Sequence, residues 1–215
     1  MLARVNGLVW LAGATAMSLS LSHPARAAGD AAAGDPVIGE KKFYTCFGCH
    51  GSENYRNAYP DYSVPKLRHQ FAAYIIAALQ EYKSGDRPFA TMHAQAVSLS
   101  DQDMQDIAAY LQDVEAVKPS AAVAGAVPKQ VAACAACHGE NGLGVAAPII
   151  PKPPILAGQH ADYLEQALIS YRNGRRKNVV MAGMAKLLAT DEDVKIVADY
   201  FARQPAPLAT AKAPD

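Results

Sequence analysis

The chain has 215 residues, 51% hydrophobic and 19% charged, with 20 Lys+Arg balanced by 20 Asp+Glu and a formal net charge of zero. That is a globular composition, and it excludes a fibrous or disordered chain. Charge neutrality, with no Lys/Arg cluster interleaved with aromatics, argues against a nucleic-acid-binding surface, and four cysteines are too few for a disulfide scaffold of this length.

At the start of the chain Arg4 precedes an apolar run from Leu8 to Leu21, followed by Ala25-Arg26-Ala27. The run is shorter than the roughly 20 residues a membrane-crossing helix needs, so it reads as a signal peptide over residues 1–27 rather than an anchor. Removing it takes away Arg4 and Arg26 and leaves 18 basic against 20 acidic side chains. No later segment reads as a membrane span, and no cysteine follows the cleavage site to carry a lipid. The expected destination is an oxidising, extracytoplasmic compartment.

The rest of the chain is a repeat. Cys46-Phe47-Gly48-Cys49-His50-Gly51 recurs 88 residues later as Cys134-Ala135-Ala136-Cys137-His138-Gly139. Beyond one small insertion the offset becomes 89, and residues 65–92 share eleven identities with 154–181, among them Pro65, Leu67, Gln70, Tyr74, Tyr82, Gly85, Arg87 and Met92. Duplication explains this better than shared composition does. Between the copies, Lys118 to Pro128 is small, apolar and proline-containing with one charge, so the expected division is 28–117 for the first domain, 118–127 for the linker and 128–215 for the second domain.

Both copies read as helical. Phe71, Tyr74, Ile75, Ala78, Leu79 and Tyr82 fall at three- and four-residue steps, Tyr163 to Tyr171 repeat the stripe, and Gly85 and Gly174 follow as stops. Ser100 with Asp103 resembles a capping box opening a helix over 100–113 with Met104, Ile107, Ala108 and Leu111 inward; Thr190 with Asp193 opens its counterpart, with Val194, Val197 and Phe201 inward. The second copy has less chain before its first cysteine, so its opening helix should be short. No alternating run predicts a sheet, so strands should be few.

In a helical turn, cysteines at i and i+3 and a histidine at i+4 share one face. Two thiols there can add to the two vinyl groups of a porphyrin while the imidazole reaches the iron, which is why C-x-x-C-H marks covalent haem c attachment. Two such motifs use all four cysteines, Cys46, Cys49, Cys134 and Cys137, with His50 and His138 as iron ligands. A zinc site would want its pairs closer in the chain, and a thioredoxin-like dithiol expects a βαβ setting that is missing.

The second axial ligand decides function, because a thioether raises the potential and a filled position leaves no room for oxygen or peroxide. Met92 and Met181 are the repeat-matched methionines. His93, beside Met92, and Met184, near an extra residue in the second copy, compete with them. A backbone carbonyl of the Pro65 or Pro154 loop is the natural acceptor for the other nitrogen of each proximal imidazole, with Leu67 and Leu156 against the haem. Arg87 and Arg176 are read either as propionate partners or as solvated helix-end side chains; Tyr82 and Tyr171 as propionate donors or core aromatics. His69 and His160 do not align with one another and are read as surface or interface residues.

The paired Cys-x-x-Cys-His-Gly motifs, Pro-x-Leu at Pro65 to Leu67 and Pro154 to Leu156, Gly158-Gln159-His160 with Tyr163, and Tyr-x-x-Gly-x-Arg at Tyr82 to Arg87 and Tyr171 to Arg176 together resemble the di-haem cytochrome c4 family. The resemblance spans the chain after the signal segment. It implies an all-α fold of two tandem class I cytochrome c domains joined by a short linker, with approximate two-fold symmetry and haems facing across the interface. It further implies a periplasmic electron carrier with two His/Met haem c groups, taking electrons from the quinol-oxidising cytochrome bc complex and delivering them to a terminal oxidase, often in association with the membrane. Arg68-His69 departs from the small residues expected after Pro-x-Leu. The competing class is an enzyme or enzyme subunit. A di-haem peroxidase needs an iron that opens, and a thiosulfate-oxidising haem needs a fifth, ligating cysteine that this chain lacks; a cytochrome subunit of a flavoprotein sulfide dehydrogenase would use much the same fold.

Overall fold

In the computed structural model, which describes residues 34–112, 123–145, 152–205 and 207–211, the first helix starts where the Asp35 carboxylate accepts hydrogen bonds from the backbone N–H groups of Val37 and Ile38, at 2.8 and 3.2 Å. Pro36 occupies its first position, where a missing N–H costs nothing. This helix, α1 (Pro36–His50), ends on the first haem motif. A short antiparallel hairpin follows, β1 (Arg56–Ala58) and β2 (Asp61–Ser63), with Asn57 opposite Tyr62. Then come α2 (Ala72–Ser84), α3 (Ala90–Ala96) and α4 (Asp101–Gln112). The second copy opens with a single 3-10 turn, Lys129–Val131, and the short α5 (Ala132–His138), followed by α6 (Ala161–Arg172), α7 (Val179–Lys186) and α8 (Asp191–Ala202). The fold is the expected all-α pair, and the hairpin is the one sheet among the described residues. The signal segment expected at 1–27 and residues 118–122 of the linker lie outside them.

The helix boundaries follow local chemistry. Gly85 closes α2 in the left-handed conformation at φ 85°, which a side chain resists. Gly174, at φ 74°, lies one residue past the cap of α6. Both capping boxes form: Asp103 N–H donates to Ser100 Oγ and Asp193 N–H to Thr190 Oγ1, each at 3.1 Å, while each aspartate accepts from the serine or threonine backbone N–H.

Each module has its own core, and the two cores are built from matched positions. Phe43, Ile75, Ile107, Ala108, Tyr110 and Leu111 are buried together in the first module; Val131, Leu164, Val197, Ala198, Tyr200 and Phe201 stand at the equivalent positions of the second. Duplication has therefore preserved the buried face while the exposed face diverged. The chain's end does not stay with its module. Ala209 pairs with Arg68 in both directions, at 3.0 and 3.3 Å, and Ala211 donates to the carbonyl of His50 at 3.2 Å and joins the first core.

The departure at Arg68-His69 is accommodated rather than rebuilt. His69 takes the left-handed conformation at φ 67°, the angle of its counterpart Gly158. Such a conformation costs a residue with a Cβ about 1–2 kcal/mol. The turn survives because its backbone is fixed elsewhere: His69 N–H donates to the Leu111 carbonyl at 2.7 Å, as Gly158 N–H does to Phe201 at 3.0 Å.

The first module depends on a close approach of α1 to α4. A Cβ on Gly39 would lie 1.9 Å from the Asp106 carbonyl, and the buried Asp106 carboxylate accepts from Asp35 N–H at 2.9 Å, tying the start of α1 to α4. Gly39→Ala should therefore force the helices apart and cost about 1–3 kcal/mol, measured as a lowered urea midpoint. Along the same seam Lys42 pairs with Asp103, whose carboxyl is held down at about 2 by that bond and by Ser100. An unfolded aspartate titrates near pH 3.9, roughly two units higher, so this pair stabilises the fold above about pH 4 and loses its contribution as pH falls through about 2. The stability gap between wild type and Asp103→Asn should accordingly close across that interval in urea titrations at stepped pH.

Candidate functional site

The last turn of α1 brings Cys46, Cys49 and His50 onto one face, and the three side chains line a single apolar-walled cavity together with Met92 from α3. The thiols are free and half-buried, and burial pushes the Cys46 thiol up, which keeps it protonated. Cys134, Cys137 and His138 hold the same places at the end of α5. Gathering such a cluster in each of two small modules without a disulfide leaves the thiols available for another covalent partner.

Both histidines are buried with one ring nitrogen spoken for. His50 Nδ1 lies 3.0 Å from the Pro65 carbonyl and His138 Nδ1 lies 3.0 Å from the Pro154 carbonyl. A carbonyl can only accept, so Nδ1 carries the proton and Nε2 is left with its lone pair. Burial pushes the His50 imidazole down to about 4 and His138 in the same direction, so both stay neutral. A neutral, oriented imidazole with a free Nε2 is a metal ligand in waiting.

The distal candidates separate by position. Met92 is half-buried in the cavity, whereas His93 points out and places its Nδ1 2.8 Å from the Tyr82 carbonyl. In the second module Met181 and Met184 both lie half-buried on α7. The 89-residue offset carries on through buried Ala96 and Ala185 and through Leu99 and Leu188, so the extra residue of the second copy falls after this helix. Met181 thus keeps the position of Met92, and Met184 that of Gln95. Asn178 caps α7 by accepting from Met181 N–H at 3.0 Å.

Arg87 and Arg176 are not solvated helix ends. Both are buried, each stacked at 4.4 Å on a tyrosine ring of its own module, Tyr82 and Tyr171. Each also crosses to the opposite module: Arg87 donates to the Tyr163 hydroxyl and Arg176 to the Tyr74 hydroxyl, the latter at 3.1 Å. Burial pushes the Tyr74 phenol up, but the charges of Arg176 and Arg87 outweigh it and hold the group at about 8. Glu81 lies 3.6 Å from Arg176, and Arg176 Nε is buried with no hydrogen-bond partner among the described residues. Two buried cations facing one carboxylate call for further anions.

These features fit a haem: an apolar slot, two thiols, a ligating imidazole, a thioether and buried guanidiniums for propionates. Sequence reasoning located every one of these residues, but it missed that Tyr163 lines the cavity of the other module and that the hairpin closes it with Asn57 and Tyr62. It also missed the hairpin's anchor, where Asp162 accepts from Arg56 Nη1 at 2.8 Å and from Ser63 N–H at 2.9 Å.

A cytochrome c family model matches residues 37–115 and again 125–203. The chain is 33% identical to the cytochrome c4 of Pseudomonas aeruginosa, across 86% of this chain and 94% of the relative. It is 34% identical to the thiosulfate dehydrogenase electron acceptor of Stutzerimonas stutzeri, across 73% of this chain and 77% of the relative. The crystal structure of reduced recombinant cytochrome c4 from Pseudomonas stutzeri aligns at a TM-score of 0.63 and 30% identity, covering 80% of this chain and 100% of that one. With one attachment motif in each matched domain, the chain carries two covalent haem c groups. Changing Cys134 and Cys137 to Ser together should reduce the pyridine haemochrome yield from two haems per chain to one.

Proposed function

Because the chain belongs to the cytochrome c family, and within it to the di-haem cytochrome c4 group, we propose that this electron-transfer protein works in the periplasm between the quinol-oxidising cytochrome bc complex and a terminal oxidase. The observation that carries the reading is the meeting of His50, with Nδ1 engaged, and Met92 in one cavity. Each haem, when bound, supplies a one-electron iron couple. His50 and His138 present Nε2 to that metal, held in orientation by the Pro65 and Pro154 carbonyls. The thioethers of Met92 and Met181 would be the further ligands; being soft, they would favour the reduced form and keep small oxidants away. The buried Arg87 and Arg176 would balance propionate charge inside the protein, and the apolar walls exclude water.

Nothing in this arrangement moves a proton or attacks a bond, so the chain's work is to hold two couples at defined potentials. Export by the segment 1–27 is part of the same reading. Among the described residues no helix is long and apolar enough to cross a membrane. The similarity to a thiosulfate dehydrogenase electron acceptor favours a second donor, a sulfur-oxidising dehydrogenase. All four cysteines belong to haem motifs, so this chain would receive those electrons rather than oxidise the sulfur itself. A flavoprotein sulfide dehydrogenase is the same kind of donor.

The oxidised protein should show the weak near-infrared sulfur-to-iron band at an intensity for two haems. Met92→Ala and Met181→Ala should each remove half of it, while Met184→Ala leaves it whole; loss in Met184→Ala instead would reassign the second ligand. Stopped-flow mixing with quinol and bc-complex membranes, and separately with thiosulfate dehydrogenase, should show rapid reduction by the physiological donor. Slow reduction by the bc complex alongside fast reduction by the dehydrogenase would move the protein to the sulfur pathway.

A further inference from the structure

Gln70 and Gln159 are repeat-matched, buried to 3% and 5% exposure, and directed out of their own modules. Gln70 accepts from Ile155 N–H at 2.9 Å and donates to the Ile155 carbonyl at 3.0 Å. Gln159 does the same to Lys66, accepting from its N–H and donating to its carbonyl, both at 2.9 Å. Lys66 and Ile155 are the middle residues of the two Pro-x-Leu turns. The N–H of Lys66 therefore belongs to the very peptide whose carbonyl, that of Pro65, holds His50. The N–H of Ile155 shares its peptide with the Pro154 carbonyl that holds His138.

We propose that Gln70 and Gln159 are positioning residues that set the potential of the haem in the module to which they do not belong. The inference rests on the reading of His50 and His138 as iron ligands. An acceptor on a peptide N–H pushes electron density through the amide onto its carbonyl oxygen and makes that oxygen a stronger acceptor, and hydrogen bonds in such a chain reinforce one another. The stronger acceptor takes more of the imidazole Nδ1 proton and gives the ring more anionic character. An electron-richer ligand favours oxidised iron and lowers the potential. Two relays result, from Gln159 through Lys66 and Pro65 to His50, and from Gln70 through Ile155 and Pro154 to His138. They cross between modules in opposite directions, and their burial keeps water from shunting either. Each haem is thus tuned by the presence of the other module, which a direct ligand cannot achieve.

The test uses the full holo-protein in redox titration, with the hyperfine-shifted Nδ1–H signals of the haem-bound imidazoles followed by proton NMR. Gln70→Met keeps side-chain volume but removes both bonds; it should raise the step of the haem on His138, move the His138 Nδ1–H signal, and leave the other step in place. Gln159→Met should do the reverse. Gln70→Glu keeps an acceptor on Ile155 N–H and should hold the affected step at or below its wild-type value. Hydrodynamic radius on the same samples reports whether the modules stay together, and where Gln70→Met opens them the Glu variant decides. Equal shifts of both steps, a shift confined to the variant's own module, or a Glu variant that rises as Met does would each overturn the proposal. Absence of any hyperfine-shifted imidazole proton in the wild type would instead remove the ligand reading beneath it.

Discussion

A buried imidazole can serve as a fixed metal ligand only if its second nitrogen is satisfied, and the hydrogen bonds from His50 to the Pro65 carbonyl and from His138 to the Pro154 carbonyl meet that requirement. Much of the molecule is arranged around these two contacts. The helix that ends on each histidine places the ring, and the Pro-x-Leu turn places the acceptor. The left-handed residue after each turn, His69 or Gly158, bends the chain back so that its N–H reaches the last core helix of the same module.

The same turns form the seam between modules. Gln70 and Gln159 grip the opposite turns by their backbone, and Arg87 and Arg176 reach the opposite tyrosines, so both sets of contacts obey one approximate two-fold relation. An interface of buried hydrogen bonds and cations is stable only when every partner is present. That requirement explains why the residues making it are among the few identities kept across the duplication. The symmetry is incomplete. Only the first copy shows the hairpin among the described residues, and Asp162 of the second anchors it, while the chain's end pairs with Arg68 and lies against the carbonyl side of His50.

Much of this was legible in the residues themselves. The order of helices, the paired capping boxes, the short opening helix of the second copy and the inward positions Ile107, Leu111, Val197 and Phe201 follow from periodicity and local hydrogen bonding, which act over a few residues. Cys46, Cys49 and His50 share a face because a helix places i, i+3 and i+4 together, and the same holds for Cys134, Cys137 and His138. Gln70 and Gln159 were visible as identities with no assigned purpose. The buried fate of Arg87 and Arg176 was not visible, because a guanidinium beside a glycine reads equally well as solvated until its neighbours are known.

What the sequence determined by itself, then, is the chemistry available to each module: covalent attachment, an imidazole beside it, a methionine at matched positions and the helices that carry them, since all of these depend on spacing within one copy. What only the tertiary structure decided is how the copies use each other. Pairing Gln70 with Ile155, Gln159 with Lys66, Arg87 with Tyr163 and Ala209 with Arg68 joins residues more than 70 positions apart. No local propensity encodes such contacts, and they exist only because two similar surfaces meet face to face and must satisfy one another's buried polar groups.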